Sequence, residues 1–187
     1  ETRSADPFYI AEETKQELRE VHKYWKGKTS SELATSYMDP EAIKAIEHNI
    51  FTPGNYFYNG VGHVTVKYGE VLAIGYKGII DKAQAELDKC QVGDANYAVI
   101  LSCQAAIEYA ERYAELASQM AAECTDPVRK QELLQISENC SRVPANGATS
   151  FYEACQSFWF VQQLIQIESS GHSISPGRFD QYMYPYY

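Results

Sequence analysis

No apolar run in the chain approaches the ~20 residues of a membrane-spanning helix, and the opening residues ETRSADPF carry no signal-peptide pattern. Positive charge is also scarce. Lysine and arginine number 16 against 25 acidic residues, a formal net charge of −9, and basic residues gather only between Lys23 and Lys28. Such a chain is a poor ligand for nucleic acid or an anionic membrane. Its five cysteines, Cys90, Cys103, Cys124, Cys140 and Cys155, are scattered without a CxxC pair. They read as reduced, mostly buried thiols. No HExxH spacing and no glycine-rich phosphate loop after a strand occurs, so neither a metal nor a nucleotide cofactor is indicated. The GxSxG elbow is absent too, and His172-Ser173, being adjacent, point in different directions; a Ser-His hydrolase is set aside. What remains is the expectation of a soluble cytoplasmic protein whose 187 residues suffice for one domain with a sizeable core.

Helical periodicity fills most of the chain. Asp6-Pro7 has the cap-and-proline signature of a helix start, and Glu12 to Trp25 carries Leu18, Val21, His22 and Trp25 at helical spacing before Gly27. Ser30 or Ser31 is expected to cap a second short helix and Asp39-Pro40 a third, with Ile43, Ile46 and Ile50 on its stripe. Helical patterns return from Tyr68 to Lys89, from Asn96 to Cys124 and from Asp126-Pro127 to about Cys140. The second of these sets Ile100, Cys103, Ile107, Ala110, Ala114, Ala117, Ala121 and Cys124 in a seam of small residues that admits a close neighbour. RVPANGATS reads as a connecting loop, and Ser150 with Glu153 as a capping box. The helix that follows, to Glu168, is apolar around nearly its whole circumference, the pattern of burial on most sides.

Two stretches break the helical pattern. Phe51 to Gly62 holds three glycines, a proline, two asparagines and four aromatics, a loop that could wall a substrate and that ends at Gly62-His63. The second, Glu168 to Tyr187, reads ESSGHSISPGRFDQYMYPYY. Polar groups on a loop leaving a rigid apolar helix are the usual build of a binding or catalytic floor. His63, His172, Ser173 and Ser175, with Asn55 and Asn59, offer donors and acceptors suited to a small polyhydroxylated substrate. A lone histidine after a glycine can equally be a structural group. Arg178 and Asp180 read as a structural ion pair beside the turn.

The segment GHSISPGRFDQYMYP resembles the glycyl radical enzymes, the pyruvate formate-lyase-like superfamily, in the branch of the B12-independent glycerol and 1,2-propanediol dehydratases. The resemblance continues through DPF, WKGKT, NGVGH and FYEACQSFWFVQQ, so it covers most of the chain. It implies an α/β fold class in which these residues form a mainly helical fragment of a ten-stranded barrel, with strands limited to short pieces near Val64-Val66 and the terminal loop. It also implies a reaction: a small diol loses water to give an aldehyde after a cysteine thiyl abstracts hydrogen. By resemblance, His63 and His172 are the catalytic candidates, His63 touching the departing hydroxyl. Ser173 and, more weakly, Asn55 are the substrate-binding candidates. A histidine at position 63 favours a neutral diol, since the choline lyase of the family is understood to have an aspartate there. The implied cofactor is an organic glycyl radical outside this chain, installed by a radical SAM activating enzyme, in a homodimer of the cytoplasm or of a bacterial microcompartment.

The chain departs from the family pattern in holding no Cys-x-Glu thiyl motif and no C-terminal glycyl loop. It is expected to be one N-terminal or middle piece, residues 1–187, inactive by itself, with its apolar helix partly exposed. Around Tyr97-Ala98-Val99 it is shorter than family members by a turn or two of helix. The alternatives are a carbon–nitrogen lyase such as choline trimethylamine-lyase, an amino-acid dehydratase of the same family, or a stand-alone helical interaction module.

Overall fold

A computed structural model describes residues 4–54, 57–58, 63–89, 94–168 and 173–187. They fall into two compact units, Glu1–Gly60 and Val61–Tyr187.

The first unit carries α1 (Glu12–Trp25), α2 (Ser30–Ser36) and α3 (Pro40–Glu47). Past the end of α1, Gly27 takes a left-handed turn at φ 79°. Asp39 caps α3 by accepting from the Glu41 N–H at 2.8 Å, with Pro40 in the first turn. Two expected starts need correction. Asp6, at φ 45°, lacks the extended backbone that a cap requires, and α1 begins only after Ala11. The cap of α2 is Thr29, since Ser30 is already helical; Thr29 and Glu32 form a full capping box. The Thr29 hydroxyl, then the Gly27 and Thr29 N–H groups, hold the Glu32 carboxyl below the usual range.

The second unit opens on β1 (Val64–Thr65) and continues through α4 (Tyr68–Leu87), α5 (Asp94–Glu123), α6 (Pro127–Arg142) and α7 (Phe151–Glu168). It closes with β2 (Ile174–Ser175), α8 (Phe179–Met183) and a 3₁₀ turn, Tyr184–Tyr186. Both strands lie where the sequence places them, and they pair in parallel. The long α5 packs along α4 and α6. Of the expected small-residue seam it buries Ile100, Cys103, Ala110, Ala114, Ala117 and Ala121, with Ile107 and Cys124 half-buried, and it buries Ala106 besides. Ala110 and Ala114 meet Cys140 of α6 and Phe160 of α7 in one core cluster. Cys103 and Cys140 are buried, Cys124 and Cys155 half-buried, and all four are free thiols; Cys90 lies outside the described residues.

The expected single helix from Tyr68 to Lys89 is broken at Gly75, whose φ of 67° and ψ of 176° suit glycine alone. The segment after α6 fills the break. Pro144 and Ala145 accept from the Tyr76 and Lys77 N–H groups at 2.8 and 2.9 Å, and the Ala148 N–H donates to the Leu72 carbonyl at 2.8 Å. A Cβ on Gly147 would collide with the Ala73 carbonyl. The connecting loop lies where the sequence places it, and it is buried in the core, with Val143 and Pro144 among the most buried residues.

The capping box at Ser150 is half realised. The Ser150 hydroxyl accepts from the Glu153 N–H at 3.2 Å. The Glu153 carboxylate turns to the N–H and hydroxyl of Thr149 and to Arg142 Nε, at 2.6, 2.8 and 2.7 Å. Arg142 also donates to the Gly147 carbonyl at 3.0 Å, bracing the inserted segment. On α7, Ala154, Ser157, Phe160, Val161 and Gln162 are buried, whereas Phe151, Tyr152, Trp159 and Ile167 are exposed. Burial on nearly all sides is therefore not reached within this chain; the partial exposure expected of a piece is what is found.

Candidate functional site

Parallel pairing sets Val64 opposite Ile174 and Thr65 opposite Ser175. In that register the preceding residues, His63 and Ser173, lie at the same end of the ladder. An open depression of about 390 Å³ is lined by His63, Val64, Thr65, Ser173, Ile174 and Ser175. No carboxylate, lysine or arginine is among them. Ser173 is held at φ 52°, a left-handed conformation that costs a non-glycine residue ~1–2 kcal/mol and persists only where its surroundings impose it.

Those surroundings are specific. The Ser175 hydroxyl accepts from the Gly177 N–H at 3.3 Å and so shapes the turn after β2. Gly177 itself sits at φ 67°, where a Cβ would strike the Thr65 methyl. The Tyr182 hydroxyl donates to the Pro176 carbonyl at 2.8 Å. Its ring stacks on Tyr68, with centroids 5.5 Å apart, and burial, then the neighbouring Tyr68, pushes its phenol up to about 12. From α7, Gln162 Nε2 donates to the Ile174 carbonyl at 3.3 Å, while Gln162 Oε1 accepts from the buried Tyr68 hydroxyl. Burial raises the Tyr68 phenol as well.

His63 and Ser173 are thus brought together. Asn55 and His172, the other site candidates, lie outside the described residues, as does Asn59. Arg178 and Asp180 are both exposed, and among the described residues no ion pair joins them; Arg178 instead precedes α8, accepting at its carbonyl from Gln181 and Tyr182. Sequence reasoning missed the support from Tyr68 and Gln162. The signal was present in one respect, an amide set in the apolar run of α7, since a buried amide needs partners. Among the described residues no group of histidine, cysteine, aspartate and glutamate is arranged to hold a metal.

Residues 1–187 match a protein family described as pyruvate formate lyase-like. A curated relative, the (2S)-3-sulfopropanediol dehydratase of Klebsiella oxytoca, is 40% identical over 198 aligned positions, which take in 100% of this chain and 24% of that protein. The alignment is longer than the chain, so the relative has residues somewhere within the aligned span that this chain lacks; Tyr97-Ala98-Val99 lie within α5. A solved structure described as 1,2-propanediol dehydration in Roseburia inulinivorans is 63% identical, covers 100% of this chain and 24% of its own, and has a TM-score of 0.78. The glycerol-bound B12-independent glycerol dehydratase from Clostridium butyricum is 53% identical over 99% of this chain and 25% of its own, with a TM-score of 0.79. The chain spans about a quarter of the length of the relatives it matches.

Proposed function

The chain belongs to the pyruvate formate lyase-like family, and on that basis we propose that it forms part of a glycyl radical dehydratase converting glycerol or 1,2-propanediol to an aldehyde. Its fold is the expected mainly helical piece of the family's α/β barrel. The observation that supports the diol reading is the depression at the β1–β2 ladder, lined by His63, Ser173 and Ser175, with no carboxylate, lysine or arginine among its described lining residues. Such a lining matches a neutral ligand with hydroxyl groups.

Loss of a hydroxyl at neutral pH needs a proton delivered to its oxygen, and an imidazole can serve. His63 is assigned that contact. Ser173, with His172 from a segment outside the described residues, is assigned to orient the diol by hydrogen bonds. The family's organic glycyl radical, installed by a radical SAM activating enzyme, supplies hydrogen abstraction through a cysteine. The described cysteines do not fit that role. Cys140 lies in the helical core, Cys103 is buried on α5, and neither they nor Cys124 and Cys155 line the depression. The proposal therefore places thiyl and glycyl residues outside this chain, in a cytoplasmic or microcompartment homodimer served by its activase. No helix among the described residues is long and apolar enough to cross a membrane.

The 40% identity to a sulfopropanediol dehydratase favours a second reading, a sulfonated diol. A sulfonate calls for cationic or bidentate donors, and none lines the described depression. The test is to offer the complete, activated protein 1,2-propanediol, glycerol, sulfopropanediol and choline under anaerobic conditions. Aldehyde from one of the first two, at least about tenfold faster than from the others, supports the proposal. Turnover confined to the sulfonate or to choline overturns it.

A further inference from the structure

We propose that Gln162 is a positioning residue for the substrate end of β2, acting through Ser173, with Tyr68 fixing the orientation of its amide. The inference rests on Ser173 being a substrate-binding residue. Gln162 projects from α7 into the interior and is 9% exposed. A buried amide without partners costs roughly 1–3 kcal/mol, so an apolar residue would pack there more readily unless the amide has a task. Its two ends have distinct tasks. Oε1 accepts from the Tyr68 hydroxyl, and Nε2 donates to the carbonyl of Ile174, the residue next to Ser173.

A phenol hydroxyl that donates to the amide must face its oxygen, which leaves the NH2 group facing the strand. Tyr68 can hold that direction because it is itself immobilised. It is 1% exposed, stacks on Tyr182, and lies 4.8 Å from the Phe158 ring centroid. The tether acts where the backbone is least content to stay, since Ser173 is held at φ 52° and, once Ile174 is released, relaxes toward the extended region that serine prefers. The consequence reaches substrate only through the Ser173 hydroxyl.

The complete, activated enzyme tests this with Gln162→Leu and Tyr68→Phe, each made in the parent and in a Ser173→Ala background, reading KM and kcat for the diol beside the unfolding temperature. The expected result is a rise in KM of about tenfold for Gln162→Leu and about two- to threefold for Tyr68→Phe, the effects of one lost and one loosened hydrogen bond, with kcat changed less. In the Ser173→Ala background both effects shrink to less than about twofold, because the group they position is gone. Equal fold-changes in the two backgrounds, or an unchanged KM in the parent, overturn the proposal. If Gln162→Leu does not fold, Tyr68→Phe, which keeps ring and shape, completes the same cycle. A parental KM for Ser173→Ala alone sinks the assignment of Ser173 and this proposal with it, an outcome distinct from additive effects, which remove Gln162 only.

Discussion

Gly75 and Ala145 approach so closely that no side chain fits between them: a Cβ on Gly75 would overlap the Ala145 carbonyl oxygen, the atom that also accepts from the Lys77 N–H at 2.9 Å. The helix α4 is broken there so that a second segment can complete its hydrogen bonds, which otherwise would be buried orphans. Gly75→Ala is expected to destabilise the complete protein by about 2–5 kcal/mol, combining a backbone region open almost only to glycine with a steric overlap. Chemical denaturation against Gly54→Ala measures it, since nothing lies within 4 Å of a Cβ at Gly54 and that change should stay within about 0.5 kcal/mol. Equal effects at the two glycines would show that the close approach is not required.

The inserted segment is also held electrostatically. Burial pushes the Glu153 carboxyl up, but the Thr149 N–H and hydroxyl and the Arg142 guanidinium outweigh it and leave the group below its usual range. A depressed carboxyl contributes stability that is full above its unfolded pKa of ~4.3 and is lost as pH falls through the lower folded value. Parent and Glu153→Gln should therefore differ by about 1–3 kcal/mol near neutral pH, the gap narrowing below about pH 4. Urea titrations from neutral pH into acid check this. A gap constant with pH, or widening in acid, would rule out the ionised carboxylate as the brace.

Much of this architecture could be read from the chain. The spans of α1, α5 and α6 and the cap at Asp39 follow from periodicity and from cap residues, which are local signals, while both short strands come from the family resemblance. Beyond the local cap corrections at Asp6 and Thr29, the misplaced features are settled by partners on other elements. Gly75 lies in a helical pattern, and the break appears only because residues 143–148 occupy it. Glu153 stands three residues after Ser150, yet Arg142 and Thr149 take its carboxylate. The site divides the same way. His63 and Ser173 could be nominated by residue type and by resemblance. Their adjacency comes from the pairing of strands more than a hundred residues apart in sequence, and the amide of Gln162 that supports it declares itself only when its two partners are in place.

Thiol chemistry reports the core independently. With the Cys140 thiol pushed up to about 11 by burial, about one molecule in a thousand carries the reactive thiolate at pH 8, and the core around it limits access. Alkylation of the native protein followed by peptide mass mapping should leave Cys140 and Cys103 unmodified until denaturant is added. Rapid labelling of Cys140 would mean that the α5–α6–α7 core opens far more readily than its packing implies.

The most direct measurement is diol dehydration by the complete, anaerobically activated enzyme carrying His63→Ala, with its unfolding temperature recorded beside the parent's. A positioned proton donor contributes ~10²–10⁴-fold, so aldehyde formation should fall by that factor in a variant that still folds, as its unfolding temperature checks. A rate near the parent's would remove His63 from the reaction and with it the β1–β2 depression as the substrate site.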